Sequence, residues 1–309
     1  MRPDIASYHR PIRSAGFSRR RLLLGLAAVA LGASAFGRSI TAAGSKILER
    51  EYDDAPDCYL FVPQSRRLDS PLMVLVHGIS RNAWKLISDF ADTAERRGVV
   101  MLAPVFSDYR YGDYQRLGRR GRGARADRAL QKLVGQATAE MRLISSKFYL
   151  YGHSGGAQFA HRYAMAYPHD VASLGLSAAG WYTLPDADQP YPYGIRPTSD
   201  SYGLTLDPRE FLRVPACVFV GEDDISRDGA FNRSDKLDSM QGRNRIERAA
   251  YWVESMSRAA RALGYDTAYS LHVLRDADHD FDELVAAGLA QELFDCLFAG
   301  SQEPSAVQL

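Results

Sequence analysis

The stretch "LYGHSGGAQF" (150–159) carries an apolar run into a glycine, then His153, Ser154 and two more glycines, and continues as a helix-like pattern. It is G-x-S-x-G at a strand-to-helix junction. On so sharp a turn a serine is held clear of the backbone as a nucleophile, and glycines two residues away avoid a clash. Gly155 then opens the helix, where its N–H can face an anion. A serine nucleophile needs a base, and the base needs a carboxylate to hold its tautomer. His279, in "RDADHDF" (275–281), is alone among seven histidines in following a late strand-like run. The acids come after "ACVFV", in Gly221-Glu222-Asp223-Asp224. Asp224, three residues past the glycine, is the first candidate; Asp223 stays open. After "PLMVLV" come His77-Gly78-Ile79. There the N–H of Ile79 can supply a second donor to an oxyanion, with His77 orienting the loop. His153, inside the turn, is a candidate to line the substrate pocket.

Each of these groups follows a strand-like run. "CYLFVP" (58–63), "PLMVLVHG" (71–78), "VVMLAPVF" (99–106), "KFYLYG" (147–152), "VASLGLSAAG" (171–180), "VPACVFVG" (214–221) and "TAYSLHVL" (267–274) read as strands. Several are near-continuously apolar, as in strands covered on both faces. Helical periodicity fills 81–98, 125–143, 155–168, 244–264 and 280–298. Strands alternating with helices predict an α/β domain, a mostly parallel central sheet flanked by helices, over about 45–300. Ligands of such sheets bind beyond the carboxyl ends of the strands, where these residues stand.

The order Ser154…Asp224…His279 matches that of α/β-hydrolases. Over 55–298 the chain resembles that superfamily, and "VLVHG" and "GHSGGA" make it similar to secreted serine esterases of the polyhydroxybutyrate-depolymerase and feruloyl-esterase kind. The resemblance implies hydrolysis of carboxylic esters through a Ser154–Asp224–His279 triad and an acyl-enzyme. It implies an oxyanion site at Gly155 and Ile79, no cofactor and no metal. A peptidase or amidase of the same fold, or a binding protein without turnover, are the alternatives.

Two tyrosine-rich segments leave the sheet at its carboxyl side: 107–123, and 180–213 with "GWYTLPDADQPYPYG". Trp181, Tyr182, Tyr191 and Tyr193 are candidates to line an aromatic substrate face; a cap packed on itself is an equal reading. The arginines at 116, 119, 120, 122 and 125 read as a solvated loop.

Charge separates the N-terminus from the rest. The net charge is +1, but the first 35 residues hold six arginines and one acid, leaving 32 basic and 36 acidic side chains beyond them, a net of −4. A general nucleic-acid role is disfavoured. "SRRRLLLGLAAVALGASAFG" has the arginines, apolar run and small-residue cleavage site of an export signal over 1–35. Ser18-Arg19-Arg20 resembles a twin-arginine signal, which makes the twin-arginine export machinery a partner and the periplasm or medium the destination. The apolar run is too short to span a bilayer, so no stable membrane span is expected after cleavage. Residues 301–309 are a tail. Of Cys58, Cys217 and Cys296, Cys217 reads as a small buried hydrophobe within "ACVFV".

Overall fold

The computed structural model describes residues 39–42, 45–118, 122–201, 203–227, 229 and 231–299. The expected export signal and the C-terminal tail lie outside the described residues. The elements are β1 (Ser39–Ala42), β2 (Ser45–Arg50), β3 (Cys58–Val62), β4 (Leu72–Val76), α1 (Ala83–Arg97), β5 (Val100–Pro104), α2 (Ala126–Met141), β6 (Phe148–His153), α3 (Gly155–Ala166), β7 (Val171–Ser177), α4 (Pro208–Phe211), β8 (Ala216–Gly221), α5 (Asp235–Gln241), α6 (Arg245–Ala262), β9 (Tyr269–Leu274), α7 (Phe281–Ala286) and α8 (Leu289–Leu297).

The strands form one sheet in the order β1-β2-β3-β5-β4-β6-β7-β8-β9. β5, β4, β6, β7, β8 and β9 run parallel, while β1, β2 and β3 pair antiparallel along one side. The chain moves from β4 outward to β5, then returns to lay β6 on the other edge of β4. This reversal opens a crevice beyond the carboxyl ends of β4 and β6, where doubly wound sheets bind ligands.

Strand residues alternate between two apolar layers. Val74 and Val76 join the layer under α2, α3 and α6, while Met73 and Leu75 join the one under α1, α7 and α8. Both faces of β4 are therefore covered, which explains its unbroken apolar run. α1 starts at Asn82, whose side chain accepts from Lys85 N, and ends at Gly98 in the left-handed region.

Four features depart from the sequence reading, the first being the short helices α4 and α5, where no helix is expected. The sheet begins at Ser39, in β1 and β2, where no strand is expected. The expected helix over 280–298 is two helices, because Gly288 (φ 98°) turns the chain between α7 and α8. Cys217 is no isolated hydrophobe: it forms a disulfide with Cys296, 79 residues away, tying β8 to α8. Closing a loop of that length stabilises by roughly 4–5 kcal/mol in the chain-entropy account. Cys58 remains a buried free thiol, its pKa pushed up to about 12 by burial.

Candidate active site

Ser154 lies between β6 and α3 with φ 53° and ψ −112°, a conformation rare for a residue with a Cβ. Such strain costs on the order of 1–3 kcal/mol and persists only where the surroundings impose it. Here Ser154 N donates to Ser177 O at 2.8 Å, anchoring the turn to β7. The flanking glycines are steric requirements. A Cβ on Gly152 would stand 2.2 Å from Gly156 O, and one on Gly156 would stand 2.0 Å from Val76 O.

The base candidate reaches the serine. His279 Nε2 is 3.1 Å from Ser154 Oγ, and its Nδ1 is 3.3 Å from Asp224 Oδ2. The loop holding His279 is built from aspartates. Asp278 accepts from Asp280 N at 2.6 Å, and Asp280 caps α7 by accepting from Asp282 N at 2.7 Å. Gly221 lets β8 approach this loop, since a Cβ there would be 2.2 Å from Ala277 O. Asp223 N closes the contact on Ala277 O at 2.9 Å. Of the three acids, Glu222 and Asp223 are exposed, whereas Asp224 is fully buried and faces the imidazole.

Ile79 and Gly155 come together over Ser154. A Cβ built on Gly155 would lie 3.0 Å from Ile79 Cγ2, and one on Gly78 would lie 3.4 Å from Ser154 Cβ. His77 fixes this loop and carries no mobile proton. It is buried, with Nδ1 2.9 Å from Gly78 O, and its Nε2 accepts from Phe106 N at 3.0 Å. That pattern requires the neutral Nδ1–H tautomer. Burial lowers its pKa to about 4. His77 O accepts in turn from Tyr114 Oη at 2.9 Å.

His153 stacks against His279, ring centroids 5.4 Å apart, and packs at a tilt against Phe281. Its Nδ1 is 3.0 Å from Ser177 Oγ, which is 2.6 Å from Tyr151 Oη. Burial first, then the charges of His279 and Arg245, lower its pKa to about 3. It is thus a neutral wall beside the candidate base.

A cavity of about 460 Å³ opens above Ser154 and His279. Its walls come from the β4 loop (Gly78, Ile79), from α1 (Lys85, Leu86), and from the His279 loop with α7 (Phe281, Asp282). Lys85 bridges the two helices by pairing with Asp282 of α7 and, at 2.9 Å, with Asp89 of its own helix. α1 and α7 carried no sequence mark of a binding role, because their lining residues are ordinary members of amphipathic helices.

The four aromatic candidates do not line this cavity. Trp181 stacks on the guanidinium of Arg162 at 4.3 Å and against Tyr193. Tyr182 stacks on Trp252, and Tyr191 Oη donates to Arg116 O at 2.9 Å. These rings bind the two tyrosine-rich segments to each other and to α3 and α6. The structure places them in the self-packed cap.

Residues 57–190 match the family model described as esterase PHB depolymerase. This is an ester hydrolase of the α/β-hydrolase fold. The hydrolase is similar to LpqC, a poly(3-hydroxybutyrate) depolymerase from Bordetella parapertussis, at 24% identity and TM-score 0.67, over 86% of this chain and 92% of that one. It is also similar to poly(aspartic acid) hydrolase-1 from Sphingomonas sp. KT-1, at 23% identity and TM-score 0.66, over 84% of this chain and 97% of that one. An S-formylglutathione hydrolase from Agrobacterium tumefaciens aligns at 13% identity and TM-score 0.57, over 84% of this chain and 97% of that one. No curated protein sequence is similar enough to match. Among the described residues, no helix of the hydrolase is long and apolar enough to cross a membrane.

The buried histidines give the hydrolase an acid-sensitive fold. His77, His153 and His161 all have pKa values lowered chiefly by burial. The unfolded chain, with histidines near pH ~6.5, binds protons that the folded chain refuses. Their contribution is complete above about pH 6.5 and is lost as pH falls, for His77 through about 4. For His77 alone the loss is on the order of 3 kcal/mol. Urea unfolding between pH 7 and 4 should show stability falling with proton uptake, and His77→Gln should reduce that uptake by about one proton. A pH-independent unfolding free energy across this window would contradict the assignment.

Proposed function

We propose that the chain is an exported serine esterase that cleaves neutral carboxylic esters through an acyl-enzyme. Ser154 is the nucleophile, His279 the general base and acid, and Asp224 the group that orients His279. The approach of His279 Nε2 to Ser154 Oγ, 3.1 Å at a strained strand-to-helix turn, carries the reading. His279 takes the Ser154 proton as Oγ attacks the ester carbonyl. The resulting oxyanion is held by the N–H groups of Gly155 and Ile79, at the start of α3 and the end of the β4 loop. His279 then protonates the departing alcohol. Water, deprotonated by the same imidazole, attacks the acyl-serine; the imidazolium returns that proton to Ser154 Oγ as the acyl–oxygen bond breaks, and the carboxylic acid leaves. His77 and His153 act as neutral supports. The segment 1–35 supports export, and the Cys217–Cys296 disulfide fits an oxidising compartment.

The cavity favours neutral substrates. It is lined by Leu86, Phe281 and Ile79 together with Asp278, Asp280 and Asp282, while its lysine, Lys85, is paired with Asp282 and Asp89. A polyanion such as poly(aspartic acid) would meet this acidic rim without a free cation among the lining residues to receive it. Like charges brought together at a site cost up to several kcal/mol. An uncharged polyester such as poly(3-hydroxybutyrate) meets no such cost.

Rates on short-acyl nitrophenyl esters, 3-hydroxybutyrate oligomers, aminoacyl anilides and poly(aspartic acid) test the proposal. Turnover of both neutral ester classes is expected, with kcat/KM for the anilides and the polyanion lower by about 100-fold or more. Preference for the anilides would favour an amidase. Preference for poly(aspartic acid) would overturn the electrostatic argument.

A further inference from the structure

Asp224 has a second partner besides His279. Arg245, the first residue of α6, places Nη1 2.9 Å from Asp224 Oδ1, while His279 Nδ1 lies 3.3 Å from the other oxygen, Oδ2. The Arg245 and Asp224 side chains are 2% and 0% exposed. The guanidinium is itself held firmly. It donates to Ser226 O at 3.4 Å and lies over the Phe231 ring at 5.0 Å. Arg248 and Arg227 lie over the same ring at 4.1 and 5.7 Å, and Asp238 pairs with both. Arg245 stands on the stripe that continues as Ala249, Trp252, Met256 and Ala260, all buried. An apolar side chain would be the ordinary occupant of that position.

A buried ion pair is a weak device for stability, because desolvating two charges consumes most of their attraction. This pair ends on the one oxygen of Asp224 that His279 does not use. A carboxylate pinned at one oxygen has a single orientation left, and that orientation presents Oδ2 to the imidazole. We propose that Arg245 is a positioning residue of the esterase. It fixes the Asp224 carboxylate in the rotamer that aligns His279 on Ser154. The proposal rests on the reading of Ser154, His279 and Asp224 as the catalytic set. Arg245 does not line the cavity and touches no substrate. Its removal should therefore lower kcat and leave KM alone.

A double-mutant cycle separates positioning from plain structural support. We would measure kcat, KM and thermal unfolding on a soluble nitrophenyl ester for the wild type, Arg245→Lys, Arg245→Met, Asp224→Asn and Asp224→Asn/Arg245→Met. Arg248→Met is the control, since Arg248 belongs to the same Phe231–Asp238 cluster and gives its charge to Asp238. Expected are a fall in kcat of about 100-fold for Arg245→Met with KM changed less than about threefold, and partial recovery in Arg245→Lys. Arg248→Met should melt earlier yet keep its kcat. In the Asp224→Asn background, Arg245→Met should cost less than about threefold more, because the group it acts through is already disabled. If Arg245→Met does not fold, Arg245→Lys replaces it in the same cycle. Multiplicative losses, or a kcat for Arg245→Met equal to that of Arg248→Met, would overturn the proposal. A Ser154→Ala protein that still turns over would instead overturn the catalytic set itself.

Discussion

Ser154→Ala should lower kcat on a short-acyl ester by about four to six orders of magnitude. The substitution removes the oxygen proposed as the nucleophile, together with its contact to His279 Nε2. Alanine keeps the Cβ, so the turn retains its φ of 53°, and the backbone N–H at 154 still donates to Ser177 O. No side-chain hydrogen bond caps α3 at Ser154. The melting temperature should therefore stay within a few degrees of wild type. Ser154→Gly should be equally inactive and more stable by about 1 kcal/mol, because glycine accepts positive φ without strain. A proton-transfer site that has imposed its geometry on the backbone predicts both results together. An alanine variant that kept a tenth of the wild-type rate would mean that another group carries the reaction.

Gly156→Ala should be the most damaging single-methyl addition in this region. The new Cβ would lie 2.0 Å from Val76 O and 2.6 Å from His77 O. The Val76 oxygen belongs to β4, which cannot retreat because it is hydrogen-bonded to β5 on one side and β6 on the other, and His77 follows it directly. α3 must instead lift from β4. That movement takes Gly155 away from Ile79 and Ser154 away from His279. A loss of about 3–5 kcal/mol in folding free energy is expected, with activity lost beyond what the folded fraction explains. Gly135, inside α2, has open space within 4 Å of where a methyl group would stand, and Gly135→Ala should stabilise by about 1 kcal/mol. Denaturant titration of the two variants side by side checks this contrast.

The arrangement of the candidate site was readable in the sequence where close packing dictates residue type. The glycines around Ser154 are needed because β4, β6 and α3 crowd one turn, and that crowding demands small residues at 152 and 156. The parallel core was likewise legible, because strands buried on both faces must be apolar throughout. β1 and β2 were not, since "SITA" and "SKILER" form the antiparallel side of the sheet without a continuous apolar run. Tyrosine content could not say whether the rings of 180–213 face the cleft or the core. That depended on Arg162 and Trp252, which offer buried stacking partners from α3 and α6. The Cys217–Cys296 link joins residues whose proximity exists only after α8 docks on β8. Arg245 was overlooked although a signal existed: the apolar stripe of α6, followed back to its first turn, arrives at a buried arginine. A charge at a core position asks for a buried partner, and that partner is Asp224.

The most direct test is covalent. The wild-type protein, treated with a fluorophosphonate and digested, should yield a single modified peptide with the adduct on Ser154, and Asp224→Asn or His279→Ala should slow that labelling strongly. An unlabelled wild type, or an adduct on any residue other than Ser154, would contradict the account.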